Sequence, residues 1–131
     1  MQDNPKAEDL LEAVQDFLMK ELLPQIRDND ALSYKALVSW NMLGVISREI
    51  KLEEEIINRE IHNVGLILGQ VDTKATLTER RSLLNHYYLE LCKKIQSERL
   101  CDPNSLIWKT VKQSVVEKLK IANPRFQVET E

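Results

Sequence analysis

Glycine and proline are scarce in this chain, at three and four residues among 131. That poverty of chain breakers argues against an all-β fold built on frequent tight turns and against a disordered, low-complexity chain. Aromatic residues make up only 5%. Cysteine occurs twice, as Cys92 and Cys101, in no metal-ligand or redox motif. A reduced, cytoplasmic setting is therefore the expectation, although the spacing does not forbid a bridge. There is no long basic run, and 18 basic residues against 21 acidic ones leave a net charge of −3. The electrostatic footprint of non-specific nucleic-acid binding is missing. No stretch approaches 18 uninterrupted apolar residues, so no membrane span is expected. The opening "MQDNPKAEDLLEAVQDF" is charged throughout, unlike a secretory leader.

What the chain does have is hydrophobic and charged residues in helical rhythm, at 43% and 30%. A chain of this length suits one domain and can bury a core without metal or disulfide. Asn4 before Pro5 is placed to start a first helix, and Leu10, Leu11, Val14, Phe17, Leu18 and Leu22 continue it to Pro24. Asn29 or Asp30 caps a second helix at about 30–51. A third, at about 53–69, carries Ile57, Ile61, Val64 and Leu68 and ends at Gly69. The boundary near 51–53 has no Pro or Gly, so these two could form one rod. Thr76 and Glu79 have capping-box spacing for a fourth helix, 77–99, with Leu84, Tyr87, Tyr88, Leu91 and Ile95 as its stripe. Asp102, Pro103 and Ser105 open a fifth, 103–122, in which Val111, Val115 and Leu119 repeat before "ANP" stops it. The expected fold is an all-α, single-domain bundle of about five helices over 1–131 with a short C-terminal tail.

Catalytic signatures are missing. The glycines, at 44, 65 and 69, make no phosphate loop, and no His-Glu-x-x-His motif occurs. Neither His62 nor His86 has a Glu three residues before it, as a di-iron bundle requires. His86 and Glu90 read as a surface i,i+4 pair. Gly65 and Gly69 form G-x-x-x-G, which in water lets another helix come close, and Gly44 has the same reading. Lys109, Lys112, Lys118 and Lys120 make the last helix locally basic, spread around its cylinder. No enzyme activity and no cofactor or metal are expected.

One stretch stands apart. In "SWNMLGVISREI", residues 39–50, Asn41 and Arg48 lie seven apart and fall within about 20° of each other on a helix, with Glu49 beside them. Two readings fit: a hydrogen-bonded polar cluster inside the bundle that fixes register, or a polar surface that recognises a partner.

"NPKAEDLLEAVQDFLMKELLP" at 4–24, "LVSWNMLGVISREI" at 37–50 and "VEKLKIANPRF" at 116–126 together resemble the DUF6285 family of small bacterial helical proteins. The resemblance implies an accessory subunit without catalysis of its own. Its partner would be an aminoglycoside-phosphotransferase-like kinase that phosphorylates hydroxyacyl-CoA, beside acyl-CoA dehydrogenases and ligases, in hydroxy-acid breakdown. On that implication Asn41, Arg48 and Glu49 meet the closing segment or the kinase. Asn123 and Arg125 are the matching tail positions, and Phe126 is an aromatic anchor. Two other readings stay open: a small-ligand or acyl-CoA-binding bundle, and a self-associating structural or regulatory protein.

Overall fold

The computed structural model describes residues 4–71 and 76–126, and among these it forms four helices and no strand. The first, α1, is Ala7–Asp16, continued by a π-helical stretch Phe17–Leu22 and a closing α-turn Leu23–Gln25. α2 is Asp30–Leu68, α3 is Leu77–Glu98 and α4 is Leu106–Ala122. The chain divides into two compact units, residues 1–52 and 53–131, with the division inside α2. No helix among the described residues is long and apolar enough to cross a membrane.

Four helices replace the expected five because α2 runs unbroken through 51–53. The segment Lys51-Leu52-Glu53-Glu54-Glu55 consists of good helix formers, so nothing there favours a break. The start also differs from the expectation. Helix α1 begins at Ala7 rather than at Pro5, because Asp9 accepts the Lys6 backbone N–H at 3.0 Å and satisfies one orphan donor. Pro24 does not end the helix. The looser π-helical pattern precedes it, and Pro24, which has no N–H, sits in the short turn that follows.

In the first unit, Asn29 caps α2: its side-chain oxygen accepts the Leu32 N–H at 3.0 Å. α1 and α2 are tied by the Gln15 side-chain amide donating to the Trp40 carbonyl at 2.9 Å and by the Lys51–Glu12 ion pair at 2.7 Å. The Glu12 hydrogen bond, helped by Glu8 and Asp9, raises the Lys51 ammonium above its ordinary 10.5. Gly44 makes room for this arrangement, since a Cβ there would lie 2.9 Å from Gln15 Nε2.

In the second unit, Val64 from α2 packs with Leu83, Tyr87 and Leu91 from α3, flanked by Ile61, Leu68, Ile95 and Ile107. Tyr87 and Leu91 of the expected α3 stripe lie in this core with Tyr88 and Ile95 packed against it, while Leu83 contributes in place of Leu84. Thr76 and Glu79 form the expected capping box: the Glu79 N–H donates to Thr76 Oγ1 at 3.2 Å, and the Thr76 N–H donates to Glu79 Oε2 at 3.0 Å. α2 ends in a Schellman turn, with the Gln70 N–H donating to the Gly65 carbonyl at 2.9 Å and Gly69 at φ +68°. The two glycines thus serve one helix terminus. A Cβ on Gly65 would lie 2.7 Å from the Gln70 carbonyl oxygen and 3.3 Å from the Tyr87 ring, so close approach by α3 is only part of its role.

Candidate functional site

The two buried residues of α4 are polar, Ser114 and Glu117. Each meets a partner from α2. Ser114 Oγ donates to Glu60 Oε1 at 2.5 Å, and Glu60 is itself buried. With its only proton committed there, Ser114 accepts from the Tyr88 hydroxyl at 2.7 Å. Burial pushes the Tyr88 phenol well above its ordinary 10.0, and the neighbouring Glu60 carboxylate adds to the rise. Lys118 completes this group, with Nζ 3.9 Å from Glu60 and 4.3 Å from the centre of the Tyr88 ring. One turn along, Glu117 accepts Arg59 at 2.8 Å and the Gln113 amide at 3.0 Å, and Arg59 also reaches Glu55 at 2.7 Å.

Every buried carboxylate in this seam therefore faces a cation. Such a pairing fixes the rotation of one helix against another, because turning α4 would strand a buried charge. Ser114 resembles an activated hydroxyl only on paper: at 7% exposure it is closed to a substrate. The arrangement specifies register. Among the described residues no group of three His, Cys, Asp or Glu side chains is placed to hold a metal ion, and Cys92 and Cys101 are both free and exposed.

While Ser114 and Glu117 turn inward, α4 presents three large apolar residues outward. Trp108, Val111 and Val115 follow one another at i, i+3 and i+7, about 120° around the cylinder from the Ser114–Glu117 side. They are 49%, 37% and 51% exposed. The expected stripe Val111–Val115–Leu119 is thus largely an outer surface. Lys112, beside Trp108 on that surface, is exposed.

The closing segment continues from the same helix. Asn123 ends α4, its N–H donating to the Leu119 carbonyl at 2.8 Å. The Phe126 N–H then donates to the Asn123 carbonyl at 3.0 Å in a turn that leaves Arg125 and Phe126 exposed. In the first unit, Asn41 and Arg48 share a side of α2 as their spacing requires. Asn41 is exposed and Arg48 half-buried, its guanidinium folded back towards Gly44, while the exposed Glu49 points to another side. His86 and Glu90 form a pair at 3.2 Å on α3.

Sequence reasoning did not single out Glu60, Ser114, Glu117 and Tyr88 as a network. Their one signal was negative: Ser114 and Glu117 occupy positions where helical rhythm would place apolar side chains on a core-facing helix.

A family model described as a domain of unknown function, DUF6285, matches residues 24–126, which is 103 of the 131 residues. The chain belongs to the DUF6285 family. The matched span takes in all of α2, α3 and α4 and closes on Phe126, so the Glu60–Ser114 network and the outward face of α4 both lie in the DUF6285 region. No curated protein and no solved structure matches the chain.

Proposed function

We propose that this DUF6285 protein is a non-catalytic accessory subunit that docks on and supports a phosphotransferase-like kinase acting on hydroxyacyl-CoA in hydroxy-acid catabolism. The observation that carries the docking role is the exposed apolar stripe of α4, Trp108, Val111 and Val115, turned away from the buried Ser114 and Glu117. A helix in water gains nothing by presenting Trp108 to solvent. It gains when a second protein covers it, and Trp is the residue type that most often dominates such interfaces. Lys112 and Arg125 are exposed nearby in sequence, which fits a partner surface bearing carboxylates. The kinase and its substrate class rest on the resemblance of the blocks at 4–24, 37–50 and 116–126.

The test is co-expression with the phosphotransferase-like kinase encoded nearest this chain, followed by a hydroxyacyl-CoA phosphorylation assay with and without the chain. Trp108→Ala is expected to weaken the complex by about 30-fold or more while leaving helicity unchanged. A wild-type complex indifferent to Trp108→Ala and Val115→Asp would remove α4 from the account.

A further inference from the structure

The first unit is a two-helix hairpin, and one of its faces is uncovered. On α1 and the start of its π-helical continuation, Leu10, Val14 and Phe17 form a stripe about 100° from the residues that turn towards α2, which are Leu11, Gln15 and Leu18. On α2, Met42, Ile46 and Ile50 lie a similar angle away from Ala36, Trp40 and Ser47, which turn towards α1. Because the helices run antiparallel, the two stripes fall on the same side of the hairpin. The Glu12–Lys51 pair marks the opposite side. All six apolar residues are 44–61% exposed.

Six half-exposed large side chains present about 500 Å² of apolar surface, near the upper end of what a monomer carries as its largest patch. Two copies placed face to face would bury about 1,000 Å² between them, the lower bound for a specific interface. The charges flanking the patch favour a second copy over other occupants. Lys35, Met42 and Glu49 are spaced seven apart on the same edge of α2. Among the described residues, no ion pair within the chain engages Lys35 or Glu49. If α2 of one copy crosses α2 of another antiparallel at Met42, each Lys35 stands opposite the other copy's Glu49. The patch is then complementary to itself in both apolarity and charge, as a two-fold interface requires.

We infer that the first unit is half of an antiparallel four-helix bundle that a second copy of this chain completes. The pairing uses the hairpin alone, so it can be tested without the kinase. Sedimentation equilibrium of the full chain alone is expected to give twice the 15.2 kDa chain mass. Lys35→Glu and Glu49→Lys, at exposed positions that leave the fold intact, are each expected to weaken the dimer about tenfold, since each places two like-charge pairs across the interface. The double variant restores both pairs and recovers the wild-type affinity. Met42→Lys gives a monomer with unchanged helicity. A wild-type chain that stays monomeric up to about 100 µM overturns the inference. So does a dimer in which the double variant is no better than either single one.

Discussion

Replacing Glu117 with Ala tests whether the polar seam between α2 and α4 holds the second unit together. The Glu117 side chain is 3% exposed and accepts two hydrogen bonds, from Arg59 and from Gln113. A hydrogen bond to a charged group contributes about 1.5–3 kcal/mol. Arg59 has a fallback, because its side chain is 43% exposed and keeps Glu55 at 2.7 Å. That reduces the full cost of breaking a buried pair, about 3–5 kcal/mol, to about 2–3 kcal/mol. For a chain of this size the loss corresponds to a fall in Tm of about 8–12 °C. The control is Glu55→Ala, which removes the exposed partner of the same arginine and is expected to cost less than about 0.5 kcal/mol. Thermal and urea unfolding followed by circular dichroism read both values. Equal, small shifts in the two variants would refute the claim that Glu117 is a buried, paired charge that sets the rotation of α4.

Other outcomes follow from the same geometry. Gly65→Ala is expected to destabilise by about 1–2 kcal/mol, because the gain in helix propensity is outweighed by a Cβ set 2.7 Å from the Gln70 carbonyl oxygen. Gly44→Ala displaces only the flexible ends of Gln15 and Arg48, so propensity and lost contact nearly cancel and urea midpoints stay within about 0.5 kcal/mol of wild type. Tyr88 prefers its neutral phenol in the folded chain, and its pKa is raised above 10.0. Its contribution to stability is therefore complete below pH 10.0 and is lost as pH rises beyond it. Tyrosinate absorbance during alkaline titration should show a phase beyond pH 10.0 that Tyr88→Phe removes. Arg48→Ala, at a half-buried position, is expected to cost under about 1.5 kcal/mol in urea unfolding; a loss of several kcal/mol would make Arg48 a member of a buried cluster.

Much of the fold was legible in the sequence because it rests on local rules. The Thr76–Glu79 box, the Asn29 cap and the Gly69 terminus depend on a few neighbouring residues, and each is found where its spacing placed it. The α3 stripe was readable because Tyr87 and Leu91 are apolar and buried together, with Tyr88 and Ile95 packed against them. The break expected near 51–53 had no residue to cause it, and α2 runs through. Helix α4 misled for a different reason. Periodicity marks an apolar stripe but not the side to which it turns, and Val111 and Val115 face out because Ser114 and Glu117 find charged and hydroxyl partners inside. Those partners, Glu60 and Arg59, lie more than fifty residues away, beyond any local rule. For the same reason Asn41 and Arg48 could be placed on one side of a helix, while their burial depended on what packs there.

The claim at the centre of this account, that the DUF6285 chain is an accessory subunit of a phosphotransferase-like kinase, is tested most directly by size-exclusion of the two chains co-expressed. The hydroxyacyl-CoA phosphorylation rate of the kinase is then measured with and without this chain. One complex is expected, with an activity above that of the kinase alone. Two separate peaks, with a kinase equally active by itself, would contradict it.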